Sequence, residues 1–149
     1  MNWKIDALDR AIMKMLQKNA TLPYKQIGRE LNKSEATICN RVNKLVKMNV
    51  ITGIVAQLDP AQLNLQSIGC IHLKSNSPKE KLKAELITIR GLRSCTSITG
   101  SSNIRVNIAA ENAKAFAKIA DTIARIPNVE VVDTSFDLDE IIPDRGFDF

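Results

Sequence analysis

The residues with the most chemical potential lie in one stretch, Ser34-Glu-Ala-Thr-Ile-Cys-Asn-Arg-Val-Asn-Lys-Leu-Val-Lys47. Ile38, Val42 and Leu45 repeat at helical spacing and define an inward stripe. Ala36, Asn40, Asn43 and Lys47 then fall on the opposite side of the same helix. Lys44 flanks them, and Thr37 and Arg41 lie on the other shoulder. These side chains suit the major groove of double-stranded DNA. Asparagine pairs its donor and acceptor with adenine, lysine reaches guanine or phosphate, and alanine touches a thymine methyl. Ser34 caps the helix, and the helix N-terminus with Ser34 suits a backbone phosphate. Lys25 and Lys33, just upstream, suit further phosphates and fix position rather than sequence.

The charge distribution points the same way. The chain has 149 residues and a net charge of +5. Residues 1–60 carry ten Lys and Arg against five Asp and Glu, whereas the remaining residues carry eleven of each. A basic block beside a neutral one suggests a polyanion-binding module joined to something else.

Other constellations offer less. Cys39, Cys70 and Cys95 make an odd count without CxxC spacing, which argues against a disulfide framework or zinc site and fits a reducing cytoplasm. His72 is the single histidine, too few for a histidine metal site or a Ser-His-Asp triad. Asp133, Asp137 and Asp139 share an alternation phase, but a solvated strand face explains them better than a metal. Cys70 and His72 share a strand face, which suggests a structural or interface role. Cys39 reads as an inert small residue. No cofactor or metal is expected. No apolar stretch is long enough to span a membrane or serve as an export signal, so a cytoplasmic, DNA-associated protein is expected.

Two groups of elements must position these residues. Asp6 caps a first helix with Leu8, Ile12, Met15 and Leu16 on one stripe. Pro23 opens a second, roughly 24–31, in which Gly28 suggests a close approach by another helix. The third runs from Glu35 to about Met48, and Val50 to Leu58 reads as an extended segment. From there the pattern becomes β-α-β-β-α-β: strands at 68–73, 92–99, 104–110 and 129–138, helices at 78–89 and 113–125. The fold class is α+β. An N-terminal winged helix-turn-helix, three helices plus a strand, precedes a C-terminal βαββαβ ferredoxin-like domain. The domains are read as 1–50 for DNA binding, 51–66 as hinge strand and linker, and 67–149 for oligomerisation and effector sensing. A sheet with helices on one face needs cover on the other, so a homodimer at least is expected.

The segments Ile5-Asp-Ala-Leu-Asp-Arg-Ala-Ile12, Ile27-Gly-Arg-Glu-Leu31, Ser34 to Leu45, Asn49-Val-Ile-Thr-Gly53 and Leu58-Asp-Pro60 resemble the Lrp/AsnC family of bacterial and archaeal regulators. The resemblance continues through the βαββαβ half. It implies a winged-type DNA-binding domain, a hinge strand, and a sensing domain that dimerises and often builds octamers. It also implies that small molecules, commonly amino acids, bind between dimers near the turn before the third sensing-domain strand. Here that turn is Gly100-Ser101-Ser102-Asn103. Asn103 stands where the family has aspartate, which weakens the case for holding an amino group. Asn32, Asn49, Asn64 and Asn128 stand where the family usually has glycine, and Asn is the best non-glycine substitute at a left-handed position.

The leading expectation is a sequence-specific DNA-binding transcriptional regulator responsive to an amino acid or another small molecule, and not an enzyme. One alternative is an enzyme of related architecture, of the sirohaem decarboxylase type. It is disfavoured by the basic stripe and the scarcity of acid–base groups. The other is an architectural protein that compacts DNA with weak sequence preference.

Overall fold

The computed structural model describes residues 4–142, 144 and 146–149. It divides into two compact units, one comprising the chain up to Gln57 with the C-terminal residues from Asp144, the other beginning at Leu58.

The first unit holds α1 (Ala7–Lys18), α2 (Tyr24–Glu30) and α3 (Glu35–Lys47). Its core is Ile12, Leu16, Ile27, Ile38 and Val42, with Leu8, Met15, Leu31 and Ile51 packed around it. Each such isoleucine contributes about 1.5–3 kcal/mol by leaving water. α1 opens with a reciprocal capping box: the Asp9 N–H donates to Asp6 Oδ1 at 2.9 Å, and the Asp6 N–H to Asp9 Oδ2 at 3.0 Å.

α2 and α3 stop by the same device. Asn32 and Asn49 follow the helix ends at φ 53° and 55°. The next N–H in each case returns to the carbonyl three residues from the helix end, Lys33 to Gly28 at 2.8 Å and Val50 to Leu45 at 2.9 Å. These are Schellman closures. Gly28 is needed here because a Cβ would lie 2.6 Å from the Lys33 carbonyl oxygen. What approaches it is therefore the backbone of the α2–α3 turn, not a crossing helix.

Two boundaries differ from the sequence expectation. The segment after Ile51 forms no paired strand before Asp59, and Ile54, Val55 and Leu58 are exposed. A strand needs a ladder partner, and this segment has none among the described residues. The C-terminal residues also leave the sheet unit. The Gln17 side chain pairs with the Phe147 backbone on both sides, Nε2 donating at 2.8 Å and Oε1 accepting at 3.1 Å. The Lys14 ammonium sits 5.7 Å from the Phe149 ring centroid.

The second unit holds β1 (Ser67–Ser75), α4 (Lys79–Leu86), β2 (Leu92–Ser97), β3 (Ile104–Ala110), α5 (Ala113–Ala124) and β4 (Val129–Phe136), after a short 3-10 turn at Ala61–Leu63. The sheet is antiparallel in the order β2-β3-β1-β4, the ferredoxin-like arrangement. Ile71 and Leu73 of β1, Val106 and Ile108 of β3, Leu82 and Leu86 of α4, and Phe116 and Ile123 of α5 fill its core. β4 ends at Phe136, paired with Gly69 of β1, and Asp137 makes one last bond to the Ile68 carbonyl at 2.8 Å. Leu138, Ile141 and Ile142 beyond it are exposed.

The sheet face away from the helices carries the alternate residues. His72 Nδ1 meets Asp133 Oδ1 at 2.7 Å, Cys70 Sγ meets Ser135 Oγ at 3.1 Å, and Asn107 Nδ2 donates to Ser94 Oγ at 2.7 Å. Asp133 therefore serves as the hydrogen-bond partner of His72. Asp137 and Asp139 lie beyond the strand.

Candidate nucleic-acid interface

α3 is held by its inward stripe. Ile38 and Leu45 are fully buried and Val42 is 2% exposed. That orientation leaves Ala36, Asn40, Asn43, Lys44 and Lys47 exposed along the outer side, with Lys25, Lys33 and Ser34 exposed at the approach. Asn40 makes no side-chain hydrogen bond among the described residues, so its amide is free to read a base edge. The Asn43 amide rests against Cys39 Sγ at 3.5 Å, a weak contact one helical turn back. Ser34 accepts from the Thr37 N–H at 3.1 Å, and the two hydroxyls lie 2.8 Å apart. Thr37 thus completes the cap and is half-buried.

Arg41 is placed differently from its neighbours. Its Nη1 lies 2.6 Å from Asp6 Oδ2 and 3.2 Å from Asp9 Oδ1. Asp9 is wholly buried. The guanidinium therefore neutralises two carboxylates at the start of α1 and fixes α3 against it. The Asp9 backbone N–H, and next the Arg41 guanidinium, hold the Asp6 carboxyl down at about 2. The same hydrogen bond to Asp6 raises the Arg41 pKa further. Sequence reasoning read Asp6 and Asp9 only as a helix start. The signal it missed was the arginine on the half-buried shoulder of α3 that their charge requires.

The turn expected to meet an effector lies in the second unit, between β2 and β3. The Asn103 side chain bridges the Ser75 backbone, with Oδ1 accepting from its N–H at 3.0 Å and Nδ2 donating to its carbonyl at 2.8 Å. The Asn103 N–H donates to the Leu73 carbonyl at 3.0 Å. An amide satisfies both Ser75 groups, whereas a carboxylate satisfies one and repels the other. This accounts for asparagine at this position. Ser102 is 6% exposed, while Gly100 and Ser101 face solvent.

Two matches to known families decide the identity. Residues 5–46 match the AsnC-type helix-turn-helix domain, and residues 69–147 match the Lrp/AsnC ligand binding domain. The chain belongs to the Lrp/AsnC family. This family of transcriptional regulators accounts for both units and for their order along the chain. Among its relatives, the HTH-type transcriptional regulator LysM of Sulfurisphaera tokodaii is 28% identical over 125 residues, 84% of this chain and 89% of that one. The proline dehydrogenase transcriptional activator of Rhodobacter capsulatus is 23% identical over 143 residues, 93% of each. The structure of AsnC from E. coli superposes with a TM-score of 0.81 at 25% identity, covering 94% of this chain and 96% of that one. The feast or famine regulatory protein of M. tuberculosis, solved with L-methionine, superposes at 0.89 with 18% identity, covering 97% and 99%.

Among the described residues of this Lrp/AsnC chain, no helix is long and apolar enough to cross a membrane.

Proposed function

We propose that this Lrp/AsnC regulator reads specific double-stranded DNA through the exposed stripe of α3. Asn40 and Asn43 contact base edges. Lys44 and Lys47 reach guanine or phosphate, and Lys25, Lys33 and Ser34 bind backbone phosphates. The observation that carries the reading is the division of α3. Ile38, Val42 and Leu45 are buried, while Ala36, Asn40, Asn43 and Lys47 are exposed on the opposite side. Arg41 contributes by orienting α3, with Thr37 completing the cap.

The protein works as a dimer at least, through the open face of the sheet. Helices cover one face of the sheet, and a second layer can cover the other. The candidate occupant is a second copy of the chain. Ile68 and Ala109 are apolar positions on that face, and Leu138, Ile141 and Ile142, which follow β4, are exposed apolar side chains. Two recognition helices related by a twofold axis then read half-sites spaced by about 34 Å per helical turn of DNA. An effector is received near Gly100 and Ser101, with Ser102 and Asn103 holding the turn. The solved relative bound to L-methionine supports an amino acid as the first class to try. Not being an enzyme and residing in the cytoplasm both accord with relatives named as transcriptional regulators.

Light scattering of the full chain tests assembly. A dimer or larger species is expected. Cys70→Arg, which places a charge in the middle of the open face, is expected to shift the population to monomer. A wild-type monomer contradicts the assembly reading.

A further inference from the structure

A groove of about 420 Å³ lies within the second unit, lined by Leu65, Arg90 to Arg93, Ala109 to Glu111, Ala115, Lys118 and Ile119. Its volume falls within the range of small-molecule sites. It sits where β2 begins and β3 ends, at the opposite end of that hairpin from the Gly100–Asn103 turn. It is therefore separate from the effector position proposed above.

The charges around it are uneven. Its lining carries Arg90, Arg93 and Lys118 and a single acid, Glu111. The second unit as a whole balances ten Lys and Arg against ten Asp and Glu over residues 58–142. An excess of positive charge is thus concentrated at this groove. None of the four side chains makes an ion pair or hydrogen bond among the described residues, unlike Arg41, whose charge is consumed within the fold. The backbone sets where the two arginines emerge. Gly91 has φ +90°, and a Cβ there would lie 2.9 Å from the Ala109 carbonyl oxygen and 2.8 Å from Ile119 Cδ1. The Gly91 carbonyl in turn accepts from the Ala109 N–H at 2.9 Å. Arg90 and Arg93 flank this tight contact along the chain. The floor between the charges is aliphatic, from Leu65, Ala115 and Ile119.

We propose that this groove is a second ligand site, for a small monocarboxylate with an aliphatic body. The guanidinium groups receive the carboxylate in the paired geometry arginine offers. The aliphatic body covers the floor. Glu111 at the rim opposes a second negative charge, which selects against inorganic phosphate and dicarboxylates.

The test is calorimetry of the full-length protein with 4-methyl-2-oxopentanoate, acetate and inorganic phosphate, with circular dichroism confirming that each variant is folded. The branched oxo acid is expected to bind at least about tenfold tighter than acetate or phosphate. The double variant Arg90→Ala/Arg93→Ala is expected to weaken it about tenfold or more, as loss of charged hydrogen bonds does. Ala115→Phe, which fills the floor without altering charge, is expected to weaken it as well. Ser101→Trp, at the other end of the hairpin, is expected to leave it unchanged. Three results overturn the site: no binding of the oxo acid, equal binding of phosphate, or loss in Ser101→Trp with retention in the groove variants. None of these bears on DNA binding, so the failure of this site and of the regulator reading are distinguishable.

Discussion

The Arg41 guanidinium on α3 lies 2.6 Å from the Asp6 carboxylate that caps α1, with the wholly buried Asp9 at 3.2 Å. One cation thus serves two acids already tied to each other's backbone N–H groups. The angle of α3 is set by this pin together with the apolar stripe beneath it.

Arg41→Met retains the aliphatic stem and removes the charge. It leaves Asp9 buried without a cation, and a cost of about 1–3 kcal/mol is expected. Urea denaturation measures it. A change in midpoint within error contradicts the pin.

The Asp6 carboxyl is held at about 2, below its ordinary 3.8. A depressed folded-state pKa contributes stability above the unfolded value and loses it as pH falls through the folded one. The contribution of Asp6 is therefore present above about pH 4 and is lost as pH falls toward 2. In Arg41→Met the carboxyl should titrate higher yet stay below its ordinary value, because the Asp9 backbone N–H, the largest cause, remains. Carboxyl-carbon NMR titration gives both numbers. An unchanged Asp6 titration means that Arg41 does not act on it.

Asn103→Asp restores the family's usual residue but removes the donor to the Ser75 carbonyl. Thermal or urea unfolding should show a loss of about 1–3 kcal/mol. A variant as stable as the wild type contradicts the structural role assigned to the amide, and returns the position to ligand binding.

Much of this was legible in the sequence because it is local. α3 begins at Glu35 as its Ser34 cap requires, and β3 spans Ile104–Ala110 as its apolar run implies. Asn32, Asn49, Asn64 and Asn128 all have positive φ, as expected of Asn in place of glycine. What was not legible depends on partners distant in sequence. Periodicity assigns Arg41 to a shoulder of the helix but does not reveal which acids await it. The extended pattern of residues 50–58 does not state whether a neighbour supplies hydrogen bonds. The docking of Phe147 on Gln17 leaves no trace in local pattern, since one amide and one backbone segment make it.

Lys25→Ala and Lys33→Ala should weaken binding to all DNA sequences about equally and flatten the salt dependence by roughly one unit of log–log slope each. Fluorescence anisotropy across a salt series measures this. An affinity nearly independent of salt contradicts phosphate contact at these positions.

The central claim, that the exposed stripe of α3 reads bases, is tested most directly by sequencing the DNA selected from a random pool by the wild type, Asn40→Ala and Asn43→Ala. The wild type should enrich a pseudo-palindromic motif containing fixed adenines. Each variant should lose preference at particular positions, by about 1–3 kcal/mol for a bidentate contact, with the rest of the motif retained. No enriched motif, or one that both variants reproduce unchanged, contradicts the account.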